Sequence, residues 1–219
     1  MARQLTLDLP IRAALGREDF FVSEANALAV ARIDAPDTWP RNKLALIGPR
    51  GSGKTHLAHV WASETNAEVV PAAALGALDI GAVASGIAID DADRLPGDAE
   101  TSLFHLHNRL GEEGLPLLLI GHEAPSRWSV ALPDLRSRLE ATDVVRIEAP
   151  DDALLAAVLV KLFADRGLAV SPGLIGWMLP RMDRSFAAAQ DLVRRLDAEA
   201  LAEGRAVTRR MAAQLLADG

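Results

Sequence analysis

The chain has 219 residues, half of them apolar and 24% charged, with a formal net charge of −7 and no cysteine. Those values suit one globular domain with a small appendage, and they exclude a disulfide scaffold and thiolate metal sites. No apolar run approaches the ~20 residues of a membrane span, and residues 1–10 are too polar for a signal peptide, so the cytoplasm is the expected compartment.

In chain order, residues 43–47 form the first apolar run. The loop Gly48-Pro49-Arg50-Gly51-Ser52-Gly53-Lys54-Thr55 follows it directly. This is a complete G-x-x-x-x-G-K-T sequence between a strand and a helix that opens with His56. Glycines let successive backbone amides turn toward phosphate oxygens, Lys54 reaches the outer phosphates, and the Thr55 hydroxyl sits on Mg²⁺. The expected ligand is a nucleoside di- or triphosphate.

Further apolar runs at 68–71, 86–90, 116–121 and 144–147 read as buried parallel strands, with helical patterns between them at 56–66 and 100–113. Alternation of this kind predicts an open α/β sheet covered on both faces, with the phosphate loop after its first strand. Beyond Ala149-Pro150 the character changes. Asp151-Asp152 caps a helix to about residue 166, Ser171-Pro172 caps a second, a third covers 185–203 and a fourth runs from Thr208 to about 217. The expected organisation is a tail over 1–18, an α/β base over 19–150 and an all-helical lid over 151–219.

Three further signals bear on chemistry. The strand at 86–90 ends in Asp90-Asp91, suited to holding Mg²⁺ through Asp90 and to orienting an attacking water through Asp91. His122 stands just past another strand, where it serves as a sensor of the outer phosphate or as a plain loop histidine. In Leu132-Pro133-Asp134-Leu135-Arg136-Ser137-Arg138-Leu139, two arginines two apart on a helix face different ways, so one can pair locally while the other projects. Taken alone, both read as surface salt-bridge residues. An arginine fork also suits a phosphoryl group presented in trans. His105 and His107 diverge on their helix, and no third ligand for a histidine-bound metal is evident. The scattered basic residues argue against strong autonomous DNA binding.

Together, Gly-x-x-x-x-Gly-Lys-Thr-His-Leu, Ile-Asp-Asp, the Gly-His strand end and Leu-Arg-Ser-Arg-Leu resemble the AAA+ ATPases, and more narrowly the Hda (DnaA-related) branch. The resemblance covers nearly the whole chain. It implies a three-layer αβα base with a five-stranded parallel sheet and a helical lid. ADP or ATP is held between them by residues 49–56 (Pro49, Arg50, Gly51, Ser52, Gly53, Lys54, Thr55 and His56), with Phe21, Val22 and Asn26 beside the adenine. Arg138 corresponds to the arginine finger. Gln4-Leu5-Thr6-Leu7-Asp8-Leu9 resembles the clamp-binding motif, with Gln4, Leu5, Leu7 and Leu9 as anchors; an extended tail of this pattern suits an apolar groove.

The implied partners are the replication initiator DnaA and the DNA polymerase III sliding clamp, with DNA met only indirectly, no membrane, and a homo-oligomer allowed. The implied role is stimulation of DnaA-ATP hydrolysis and so negative regulation of replication initiation. The alternative is an autonomous ATPase such as a DnaC-like helicase loader. The chain departs from the pattern at Ala187, where the lid normally supplies a sensor arginine; Arg184, one helical turn earlier, is the candidate replacement. Asp91 in place of glutamate and the uncommon His122 put intrinsic hydrolysis in doubt more than nucleotide binding.

Overall fold

The computed structural model describes residues 21–217. The candidate anchors Gln4, Leu5, Leu7 and Leu9 lie outside them.

Five strands, β1 (Lys43–Ile47), β2 (Glu68–Pro71), β3 (Ile87–Asp90), β4 (Leu117–Gly121) and β5 (Asp143–Arg146), form one parallel sheet in the order β2-β3-β4-β1-β5. β1 lies between β4 and β5, with Ile47 opposite Gly121 and Arg146. All five β1 residues are buried.

Strand alternation divides the apolar residues between two faces. Ala45, Ile87, Ile89, Leu117 and Leu119 pack against Leu103, Leu106 and Leu110 of α3 (Glu100–Glu113) and Leu135 and Leu139 of α4 (Pro133–Glu140). Leu44, Leu46, Ala88, Leu118 and Ile120 face the other way. They meet α1 (Ala27–Ile33) and α2 (Lys54–Thr65), where Trp39 stacks on Trp61 at 5.5 Å between ring centroids. A helix on each face explains why these strands are apolar throughout rather than alternating with polar residues. The helix α1 has no counterpart in the pattern read from sequence. It packs on β5, and Arg32 pairs with Asp143 there.

The C-terminal helices α5 (Asp152–Asp165), α6 (Pro172–Met178), α7 (Phe186–Glu203) and α8 (Arg209–Ala217) enclose a separate core around Leu159, Phe163, Met178, Val193, Leu196 and Met211. Their starts are set by side-chain caps: Asp151 accepts from the Leu154 amide at 2.7 Å, Ser171 from Leu174 at 3.2 Å, Ser185 from Ala188 at 3.0 Å and Thr208 from Met211 at 3.3 Å. Each cap satisfies an amide that has no partner inside the helix. No helix of the described residues is long and apolar enough to cross a membrane.

Candidate functional site

The loop between β1 and α2 turns through Gly48, Gly51 and Gly53, all at positive φ. At Gly48 the requirement is steric as well as conformational: a Cβ would sit 2.7 Å from the Ile147 carbonyl oxygen of the neighbouring chain segment. The loop delivers Lys54, a buried residue, to the first turn of α2, where its Nζ donates to the carbonyls of Gly48 (2.9 Å) and Pro49 (2.8 Å). Burial pushes the Lys54 ammonium below its ordinary pKa, against the raising pull of Asp90, Asp93 and Asp91.

Parallel pairing brings the ends of β1, β3 and β4 together, and with them the polar residues that follow each strand. Thr55 donates its hydroxyl to Asp90 at 2.9 Å, and the other Asp90 oxygen accepts the Asp91 amide at 2.9 Å. Asp91 adopts a left-handed conformation with φ +52° and is exposed. Asp93 holds His122: one carboxylate oxygen accepts the His122 amide at 2.9 Å and lies 2.9 Å from its Nδ1, while the other oxygen is buried without a hydrogen bond.

Two adjoining cavities meet at the phosphate loop. The first, of about 480 Å³, is polar and is lined by residues 50–55, Asp90, Asp91, Arg94, His122 and Gln190. The second, of about 180 Å³, runs between base and lid past Phe21, Asn26, His56, Leu154, Val158 and Phe186. Asn26 fixes the entry to this slot: its amide nitrogen donates to the Phe21 carbonyl at 2.9 Å and its oxygen accepts the Ser23 amide at 2.8 Å. A polar basin joined to a largely apolar slot matches the two ends of a nucleotide.

The structure places Arg50, Gly51, Ser52, Gly53, Lys54, Thr55, Asp90, Asp91 and His122 in the polar basin, and Phe21 and His56 in the slot. Pro49 contributes through its carbonyl. Val22 and Arg184 line neither cavity. Val22 is 48% exposed, and Arg184 forms a surface ion pair with Asp152 at 3.1 Å. The lid residue that reaches the loop is Gln190, one turn beyond Ala187 on α7. Sequence reading missed Gln190 because glutamine carries no charge to advertise a phosphate-facing role.

Oxygen donors suit Mg²⁺, and Thr55 and Asp90 place two of them side by side beside Lys54. A metal held there would neutralise phosphate charge. Asp91, Asp93 and His122 also present ligand atoms within 4.8 Å of one another, a grouping that includes neither His105 nor His107. The Asp93 oxygen in that group is already committed to His122.

Arg138 lies at the opposite end of the sheet, in a cavity that includes Lys43, the first residue of β1. Its guanidinium stands over the Phe104 ring, 5.2 Å from the centroid, and among the described residues it has no carboxylate partner. Arg136 instead donates from Nε and Nη2 to the Val130 carbonyl. Neither arginine forms the surface salt bridge that the segment taken alone suggested: one is tied to the backbone and the other projects.

No protein-family model matches the chain. An uncharacterized protein of Haemophilus influenzae is 29% identical over 177 residues, covering 74% of this chain and 75% of that protein. Domain III of the replication initiation protein DnaA from Thermotoga maritima superposes with a TM-score of 0.75 at 20% identity, covering 93% of this chain and 96% of that one. AMPPCP-bound DnaA from Aquifex aeolicus gives 0.66 at 19% identity, covering 83% and 64%. The five-stranded parallel sheet with its flanking helices therefore has the fold of a AAA+ domain, and domain III of DnaA shares that fold over nearly its whole length.

Proposed function

We propose that this chain is a regulatory AAA+ protein of the Hda kind. It binds adenine nucleotide and Mg²⁺ between base and lid, docks on the sliding clamp through Gln4, Leu5, Leu7 and Leu9, and offers Arg138 to ATP bound by DnaA. Hydrolysis there converts the initiator to its ADP form and restrains re-initiation. The observation that carries this reading is Arg138 itself: a projecting guanidinium without a carboxylate partner among the described residues, at the end of the sheet away from the chain's own phosphate loop. A planar cation so placed serves a neighbour's phosphoryl group rather than its own, and fingers of this type accelerate hydrolysis about 10³–10⁵-fold.

The chain's own residues divide the work. Lys54 and the loop amides bind phosphate, Thr55 and Asp90 would hold Mg²⁺, and Phe21 and Asn26 shape the slot for the base. Bound Mg²⁺ supplies charge neutralisation at the phosphates. Closure of the lid through Gln190 ties nucleotide occupancy to the shape of the whole molecule.

The test is stimulation of DnaA ATP hydrolysis by wild-type and Arg138→Ala protein in the presence of DNA-loaded clamp. Stimulation by wild type and its loss in the variant are expected, and full activity of the variant overturns the assignment. Loss of clamp co-elution on deleting residues 4–9 tests the docking segment. A second reading, an autonomous ATPase of the helicase-loader kind, draws on the grouping of Lys54, Thr55, Asp90 and Asp91 around one basin. Sustained turnover by the chain alone favours it.

A further inference from the structure

A cavity of about 90 Å³ lies at the start of β1, away from the nucleotide cleft, and its ionisable lining residues are Arg41, Lys43, His107 and Arg138. Pocket volumes for whole ligands run to about 300–1,000 Å³, so this one has room for a single small group. Its chemistry is one-sided. No carboxylate lines it, and the remaining lining residues are Pro40, Ala141 and Thr142.

The polar groups are in place but unmatched. Lys43 is 8% exposed, and its ammonium makes no hydrogen bond or ion pair among the described residues. It fits against Gly111 of α3, where a Cβ would come within 3.0 Å of Nζ. His107 is 5% exposed and both of its ring nitrogens are buried without a hydrogen-bond partner. Consecutive left-handed residues, Arg41 at φ +56° and Asn42 at φ +58°, turn the chain into β1, and Arg41 donates to the Ala141 carbonyl at 2.7 Å across the cavity mouth. Arg138, exposed and with its guanidinium over Phe104, also lines the cavity.

We propose that Arg41, Lys43, His107 and Arg138 form a second site that binds one oxyanion, a phosphate group. Converging cations without a counter-charge repel one another and cost desolvation, and a multiply charged oxygen acceptor relieves both. The mutual influence is visible in the basic groups. Burial and then the charges of Arg138 and Arg41 hold Lys43 below its ordinary pKa, and burial followed by Lys43, Arg138 and Arg41 depresses His107 to about 4. Thr142, the other neutral hydrogen-bonding side chain of the lining, donates its hydroxyl to the Arg138 carbonyl at 3.1 Å, which leaves the unpartnered His107 ring to offer an N–H to an anion.

The site itself follows from the cavity and its lining; its use on a partner's nucleotide rests on the function proposed above. The phosphate has two chemically equivalent sources, free inorganic phosphate and the terminal phosphate of a nucleotide carried by another phosphate loop. The imidazole resonances of His107 in the full chain report on both. Titration with inorganic phosphate, against chloride at matched ionic strength, is expected to shift them and to raise the His107 pKa from about 4. Lys43→Met and Arg138→Gln should each weaken binding about tenfold. Gly111→Ala, which keeps every charge but displaces the Lys43 head and favours the helix, should weaken it several-fold without loss of stability.

The Lys54→Ala variant separates the sources. A phosphate response that survives in it identifies direct capture of the free ion. A response to AMPPCP that grows with protein concentration in wild type and is missing in Lys54→Ala identifies a phosphate carried by a second copy. Unmoved His107 resonances with both probes at millimolar concentration overturn the site. Because neither DnaA nor clamp is present, that result would leave the hydrolysis assay standing as a separate test.

Discussion

The side chain of Gln190 rests on Gly51: a Cβ at Gly51 would lie 2.8 Å from Gln190 Nε2. Lid and phosphate loop are thus in direct contact, at the point where the polar basin opens into the apolar slot. Gln190→Ala should weaken ADP binding about three- to tenfold, the worth of one hydrogen bond, and leave the melting of the nucleotide-free chain unchanged. Titration with a fluorescent ADP analogue measures the first and calorimetry the second. Gly51→Ala should be harsher, because both the positive φ and the Gln190 contact oppose a methyl group.

Lys54 is the cation nearest the loop carbonyls, and its removal takes away the main attraction for outer phosphates. With Lys54→Ala, ADP should no longer raise the melting temperature. In the wild type, a ligand at a hundred times its Kd adds about 2.7 kcal/mol of stability. A thermal scan with and without ADP and Mg²⁺ decides this.

Glu100 is 6% exposed, and its carboxylate accepts the amides of Ala131, at 2.9 and 3.0 Å, and of Leu132 at 2.7 Å. Those amides belong to the segment that launches α4, so Glu100 fixes where Arg138 emerges. Glu100→Ala should cost about 2–4 kcal/mol in urea unfolding, since it removes three charge-assisted bonds made by a buried carboxylate to the amides of Ala131 and Leu132. It should also lower stimulation of DnaA hydrolysis beyond what the fraction of unfolded protein explains, whereas clamp co-elution should persist.

His107 carries a pH dependence whose sign follows from its depressed pKa. The folded state favours the neutral ring, with a pKa of about 4 against 6.5 when unfolded. Its contribution is complete above 6.5 and is lost progressively as pH falls toward 4, by about 3 kcal/mol in all. Compared with His107→Leu in urea melts, the wild type should fall further behind at each step from pH 7 to 4.5. Parallel curves for the two proteins would contradict the buried neutral ring.

Much of the base was legible in the chain because its strands are buried on both faces, and an uninterrupted apolar run such as Leu44–Ile47 has few other readings. Strand ends differ by about one residue, as for β5, which spans Asp143–Arg146 rather than 144–147. The lid helices were legible through Asp151, Ser171, Ser185 and Thr208, whose side chains do cap them. What remained hidden depends on tertiary placement. Gln190 matters because α7 folds back over the loop, and Lys43 meets His107 only after β1 and α3 pack together. The short helix α1 has only seven residues, with no side-chain cap and no acidic residue in its first turn, so few local signals announce it.

The strand β1 ends at the glycine-rich loop and begins at the cavity proposed to take an anion, about 13 Å away along five residues. The molecule accordingly has a head and a tail, and any contact that joins one to the other has a direction. Such contacts repeat unless something ends the row. A copy docked by the Lys43 end on a neighbour's nucleotide leaves its own loop facing outward, open to the next arrival. In such a row the nucleotide on that loop would decide between growth and arrest, so a single bound phosphate would set the length of an assembly as well as the state of one protein.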